Sequence, residues 1–172
     1  MELQICHVGD QNGAPLFSVV RSGDLKRTAP VSLPSPVSFP VGDDAERGLL
    51  PRLRWYLEGY LQAPFGAYRQ SAQAVAETLQ AWGGAVFDRL FVGEAQNWYQ
   101  TARRQSFRDF RIKITSDSPE IMAWPWEALY SREDGYLALR FPVERQLSTD
   151  LGDPPPLPES LPQDALRILY VI

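Results

Sequence analysis

The strongest constraint on this chain is its last seven residues, L-R-I-L-Y-V-I (166–172), which follow a tract holding Pro154, Pro155, Pro156, Pro158 and Pro162. Such an apolar run reads as the first strand of a sheet buried on both faces. Its backbone groups and both its faces need partners. The expectation is therefore the front portion of a larger protein, with a further domain starting at residues 164–172. Residues 149–163 read as a polyproline-like joint leading into it.

The 172 residues suffice for one sizeable core, and 44% hydrophobic against 22% charged residues is a globular composition. A net charge of −4 and a pI near 5.0 provide no global basic field for nucleic acid or an anionic membrane. One cysteine, Cys6, excludes an internal disulfide framework and suits a reducing compartment. The opening M-E-L-Q-I-C-H has no leader character, and no run approaches a membrane span. The expected location is the cytoplasm.

Residues 2–8 and 16–21 flank an Asn12-Gly13 turn signal and predict a β-hairpin with a longish loop. Pro30, Pro34, Pro36 and Pro40 make residues 29–41 an extended edge or joint. A three-helix block follows. Asp43 and Asp44 precede a first helix with Pro51 in its first turn and a stripe of Leu53, Tyr56, Leu57, Tyr60 and Leu61. A second helix repeats apolar residues from Ala72 to Phe91 at three- and four-residue steps. Its Gly83-Gly84 pair either interrupts it or admits a neighbouring backbone. The third, about 94–106, aligns Ala95, Trp98, Tyr99 and Ala102.

The period then changes to two. Phe110, Ile112 and Ile114 alternate with Arg111 and Lys113 as a half-buried strand. Asp117 to Glu120 carries a cap candidate at Asp117 with Pro119 in the first turn of a short helix. Pro125 disfavours α geometry at Trp124, so a fresh turn begins at Trp126. Residues Gly135–Arg140 and Val143–Leu147 read as two strands paired with each other. The fold expected is α+β: a hairpin with an extended segment (1–41), a helical and mixed β/α part (42–148), the joint, and the terminal strand.

Few residues carry chemistry. Cys6 and His7 are the only cysteine and histidine, but adjacent strand residues point to opposite faces, and a catalytic pair must lie within hydrogen-bond reach. Two such residues are also too few for a zinc site. Glu127 reads as a structural carboxylate, paired with Arg140 or Arg145 or placed as a first-turn acid. Trp124 and Trp126 read as core or interface wedges. The cluster Arg103, Arg104, Arg108, Arg111 and Lys113 is expected to be a solvated face, RNA contact being the competing reading. G-D-Q-N-G lacks the Lys-Ser/Thr of a phosphate loop. No cofactor or metal is expected.

Taken in order, W-Y-L-E-G-Y-L-Q-A-P-F-G (55–66), F-D-R-L-F (87–91), R-I-K-I-T-S-D-S-P-E (111–120), W-P-W-E-A-L-Y (124–130), G-Y-L-A-L-R (135–140), V-E-R-Q-L (143–147) and L-R-I-L-Y-V-I form a set. From Arg52 onward this resembles the N-terminal half of a CHAT domain, the caspase-like module often fused to tetratricopeptide repeats in bacteria. The resemblance implies a cysteine peptidase as the parent, with the terminal run as first strand of its caspase-like α/β sheet. It places the catalytic His and Cys after that strand, so no catalytic residue falls here. The residues expected in a structural or interface role are Trp124, Pro125, Trp126, Glu127 and Arg145. The partners implied are the remainder of the caspase-like domain and tetratricopeptide-repeat or other regulatory segments. The alternative is a stand-alone α+β adaptor that binds protein and has no enzyme activity.

Overall fold

The computed structural model describes residues 1–147 apart from 24, 25, 43, 63 and 67, and apart from the side chains of 44–47. The proline joint and the Leu166–Ile172 run lie outside the described residues.

The Asn12-Gly13 turn signal and the apolar residues on either side of it build the first unit. Strands β1 (Glu2–Gln11) and β2 (Ala14–Arg21) pair antiparallel from Leu3↔Arg21 to Gln11↔Ala14. The longish loop expected between them is instead a two-residue turn. Asn12 and Gly13 both have positive φ, the type I′ combination that matches strand twist. Because Gly9 to Gln11 join the ladder after a bulge at Val8, the strands run further than their apolar residues suggest.

Short strands β3 (Lys26–Arg27) and β4 (Val31–Ser32) both pair with β2 at the sheet's edge, where the prolines after Ala29 are tolerated. β5 (Pro40–Val41) and β6 (Asp44–Gly48) form a separate ribbon. Asp44 thus belongs to a strand, and helix α1 (Leu49–Glu58) starts after Gly48 rather than after the acid pair. It ends at Gly59, before a single 3-10 turn over Tyr60–Gln62.

Helix α2 (Arg69–Leu90) runs unbroken for 22 residues through Gly83-Gly84. A Cβ on Gly83 would sit 1.8 Å from the Ala128 carbonyl oxygen, so the glycine admits a neighbouring backbone. Helix α3 (Glu94–Arg104) buries Ala95, Trp98, Tyr99 and Ala102. Strand β7 (Arg111–Ser116) then enters the sheet parallel to β1.

The second crossover holds α4 (Pro119–Met122), a 3-10 turn at Trp126–Ala128, the ribbon β8 (Tyr130–Ser131)–β9 (Gly135–Tyr136), and a 3-10 turn at Leu137–Leu139. Ser118, not Asp117, caps α4, its Oγ accepting from the Ile121 amide, with Pro119 at the first helical position. Strand β10 (Val143–Leu147) pairs parallel with β7, from Val143↔Ile112 to Leu147↔Ser116. The expected pairing of 135–140 with 143–147 does not occur. Gly135-Tyr136 folds back on Tyr130-Ser131, and the turn at Leu137–Leu139 carries the chain away before β10 begins.

The result is α+β: an N-terminal hairpin, three helices and a mixed six-stranded sheet in the order β10-β7-β1-β2-β3, with β4 also on β2. Leu3, Ile5, Phe17, Val19, Ile112 and Ile114 share one buried face of it by register. They join Trp82, Val86, Trp98, Tyr99, Trp124 and Trp126 in a single hydrophobic core. At about 25 cal/mol per Å² of apolar area, such wide rings dominate its stabilisation.

Candidate functional site

The W-P-W-E segment lies where the second crossover meets the sheet. Its residues alternate between core and surface. Trp124 and Trp126 are buried, stack on each other at 5.5 Å, and meet Phe17 of β2 and Trp82 of α2. The Trp126 indole N–H donates to the Ile121 carbonyl (2.8 Å) and the Trp82 N–H to Pro34 (2.9 Å), so neither polar edge is left unpaired. Neither Trp124 nor Trp126 is presented to a ligand.

Pro125 and Glu127 point outward. Both oxygens of the Glu127 carboxylate accept from the two terminal nitrogens of Arg145 on β10, a bidentate pair. The same guanidinium donates through Nε to the Met122 carbonyl (2.9 Å) and through Nη2 to the Trp124 carbonyl (3.1 Å). One side chain therefore collects two backbone carbonyls and a carboxylate, bracing the crossover against the edge strand. Arg140, the other candidate partner of Glu127, donates instead to the Asp134 carbonyl in the β8–β9 turn. With both oxygens engaged by one guanidinium the carboxylate is fixed in place, which argues for a brace.

Cys6 and His7 sit on opposite faces of β1. His7 lies on the core side beside Phe17, with Nδ1 3.1 Å from Ser116 Oγ and Nε2 3.3 Å from Asp10 Oδ1. Cys6 stands on the other side of the sheet, beside Ser18 and Thr115 by register. Burial raises the Cys6 thiol above its ordinary pKa, with Arg27 opposing weakly, so it holds its proton at neutral pH. That shift is opposite to the one a nucleophile needs.

The basic cluster is largely neutralised by its neighbours. Arg103 pairs with Glu133 and Asp134, Arg111 with Glu144, and Lys113 with Glu2, while Arg108 stands 4.0 Å from Asp109. Tyr99 donates to Asp134 Oδ2 at 2.8 Å. Burial, and then the Asp134 carboxylate, push its phenol well above the ordinary range. The group ties α3 to the β8–β9 turn. Among the described residues no group of three or more His, Cys, Asp or Glu could hold a metal ion. No described helix is long and apolar enough to cross a membrane.

One feature does not emerge from the sequence. The stripe expected to bury α1 lies half-open: Leu57 is 53% exposed, and Leu139 facing it from the 3-10 turn is 82% exposed. Between them runs a groove of about 520 Å³, walled by Leu53, Tyr56, Leu57, Val75, Leu79 and Leu139, with Pro125 and Glu127 at one side. The available signal is the stripe itself, which periodicity assigns to a partner without saying which one.

Comparison with family models, with curated proteins and with solved structures finds no match to this chain.

Proposed function

We propose that this segment is the non-catalytic support of a CHAT-type, caspase-like cysteine peptidase. The observation that carries the reading is the Arg145–Glu127 brace. In the ordered motif set that resembles the family, the W-P-W-E element is built for mechanical work: two rings in the core, a carboxylate and a guanidinium locking the crossover to β10. Arg145 ties this element to β10, the last described strand, and the proline joint and the Leu166–Ile172 run, read as the first strand of a caspase-like α/β sheet, follow it in sequence.

In this reading the chemistry is done elsewhere. A cysteine thiolate attacks the peptide carbonyl, a histidine takes the thiol proton and returns it to the leaving amine, and water then hydrolyses the acyl-enzyme. Both groups belong to the domain that follows, because Cys6 and His7 are on opposite sheet faces and the Cys6 thiol is held protonated. The partners are the rest of that domain and regulatory segments such as tetratricopeptide repeats, in the cytoplasm. The open groove favours a second reading, a stand-alone protein-binding module without enzyme activity.

A peptidyl acyloxymethyl ketone, which alkylates activated cysteines, separates the two. Applied to the endogenous protein captured through this segment, it is expected to modify a cysteine beyond residue 172. Absence of any adduct, or an adduct on Cys6 alone, overturns the peptidase reading and leaves the binding module.

A further inference from the structure

We propose that strand β10 is a docking edge on which a second copy of this chain pairs antiparallel, with the two-fold axis at Arg145. The inference concerns assembly and goes beyond the support reading without resting on it.

The two edges of the sheet are built differently. At one edge, β3 and β4 are two residues long, Lys26 and Arg27 are exposed, and Pro30 and Pro34 lie either side of β4. Short strands, cations and prolines are the devices that keep a sheet edge from recruiting another strand. At the other edge, β10 is a regular strand of five residues without proline or bulge. Its one cation, Arg145, is turned onto Glu127 and the crossover carbonyls and does not shield the edge.

The backbone decides which groups that edge presents. The Ile112 amide donates to the Pro142 carbonyl (3.0 Å), and the register runs from Val143↔Ile112 to Leu147↔Ser116. Alternation then turns the N–H and C=O of Glu144 and Gln146 toward β7, and those of Val143, Arg145 and Leu147 outward. Among the described residues no strand pairs with this outer side. Open backbone groups of this kind are a template for strand addition.

The strand is complementary to itself in one register. With the axis at Arg145, Val143 lies opposite Leu147 of the second copy and Arg145 opposite Arg145, so every outward donor meets an outward acceptor. An axis at Glu144 would leave Leu147 unpaired and set two like charges against each other, and one at Gln146 would leave Val143 unpaired. The side chains agree with the Arg145 register. Leu147, 51% exposed, gains an apolar neighbour in Val143, and Glu144 faces the amide of Gln146. Each guanidinium at the axis brings its own bound Glu127 carboxylate, which offsets the repulsion between them. Because this complementarity belongs to β10 alone, a second copy is favoured over an unrelated strand.

Sedimentation velocity of the full chain tests this, over the range of about 1 µM to about 1 mM that a small interface calls for. A monomer–dimer equilibrium is expected. Leu147→Pro removes an outward N–H and leaves the β7 ladder intact, so it should weaken dimerisation at least about tenfold with an unchanged urea midpoint. Disulfide trapping in a Cys6→Ser background reads the register. Glu144→Cys and Gln146→Cys proteins should cross-link when mixed, their Cα atoms being about 4.5 Å apart, and neither should cross-link alone. A monomer throughout the range overturns the proposal. Slow exchange of the Val143, Arg145 and Leu147 amides would then mean that the same chain covers the edge, and fast exchange that it is open to an outside strand. A dimer that Leu147→Pro leaves intact, or that gives no mixed disulfide, has its interface elsewhere and overturns the proposal too. None of these results bears on whether the protein carries an activated cysteine.

Discussion

Helices α1 and α3 carry apolar residues at the same helical spacing, yet they end in different surroundings. Ala95, Trp98, Tyr99 and Ala102 of α3 are all buried, and the Tyr99 ring meets Phe87, Phe91, Phe107 and Phe110. On α1 only Leu49 is fully buried, and Leu57 faces an open groove. The contrast separates two things that periodicity merges. Spacing establishes that a stripe exists, while tertiary packing decides whether its partner is nearby. A tightly packed stripe makes α3 part of the scaffold; the stripe of α1 is left partly open to solvent.

The contrast can be broken by mutation, beginning where the effect should be greatest. Trp98→Ala removes a buried ring and should lower the unfolding free energy by about 3–5 kcal/mol, measured by urea denaturation of the full chain. Gly83→Ala places a methyl group against the Ala128 carbonyl and should cost about 2–3 kcal/mol by forcing α2 off the crossover. A Gly83→Ala protein with an unchanged urea midpoint would show that the approach of the two backbones is not needed.

Tyr99→Phe sharpens the α3 side through pH. The phenol's pKa is raised in the folded protein above its ordinary value of 10.0, so the unfolded chain releases this proton first. The associated stability is intact below pH 10 and is lost as pH climbs beyond it. The Phe variant should lose about 1 kcal/mol at neutral pH and show a flatter alkaline decline. Parallel alkaline limbs for the two proteins would remove Tyr99 from the account. At the small end, Leu57→Ala should change stability by no more than about 0.5 kcal/mol, since half that side chain is already in water. A loss as large as that of Trp98→Ala would mean α1 is packed as firmly as α3.

Much of this fold is legible in local sequence signals. Asn12-Gly13 marks the hairpin because only residues that tolerate positive φ suit its turn. The stripes of α2 and α3 and the alternation at Ile112 and Ile114 place those elements on the core. Legibility fails where a partner is distant in the chain. Local pattern matches Val143–Leu147 to its neighbour in sequence, whereas its hydrogen bonds go to β7, and no local pattern names a parallel partner. Asp117 and Ser118 are both good caps, and only the geometry of the following turn selects Ser118. For the W-P-W-E element, residue types alone allow Arg140 or Arg145 beside Glu127. The crossover's path puts Arg140 on the Asp134 carbonyl and leaves Arg145 as the brace.

The most direct test of the central claim, that this fold is the support of a larger peptidase, is the intact mass of the endogenous protein captured through residues 1–147. The account predicts a species well above 19.4 kDa, or a second fragment co-purifying with this one after processing. A single species of 19.4 kDa, with nothing bound to it, would contradict the claim.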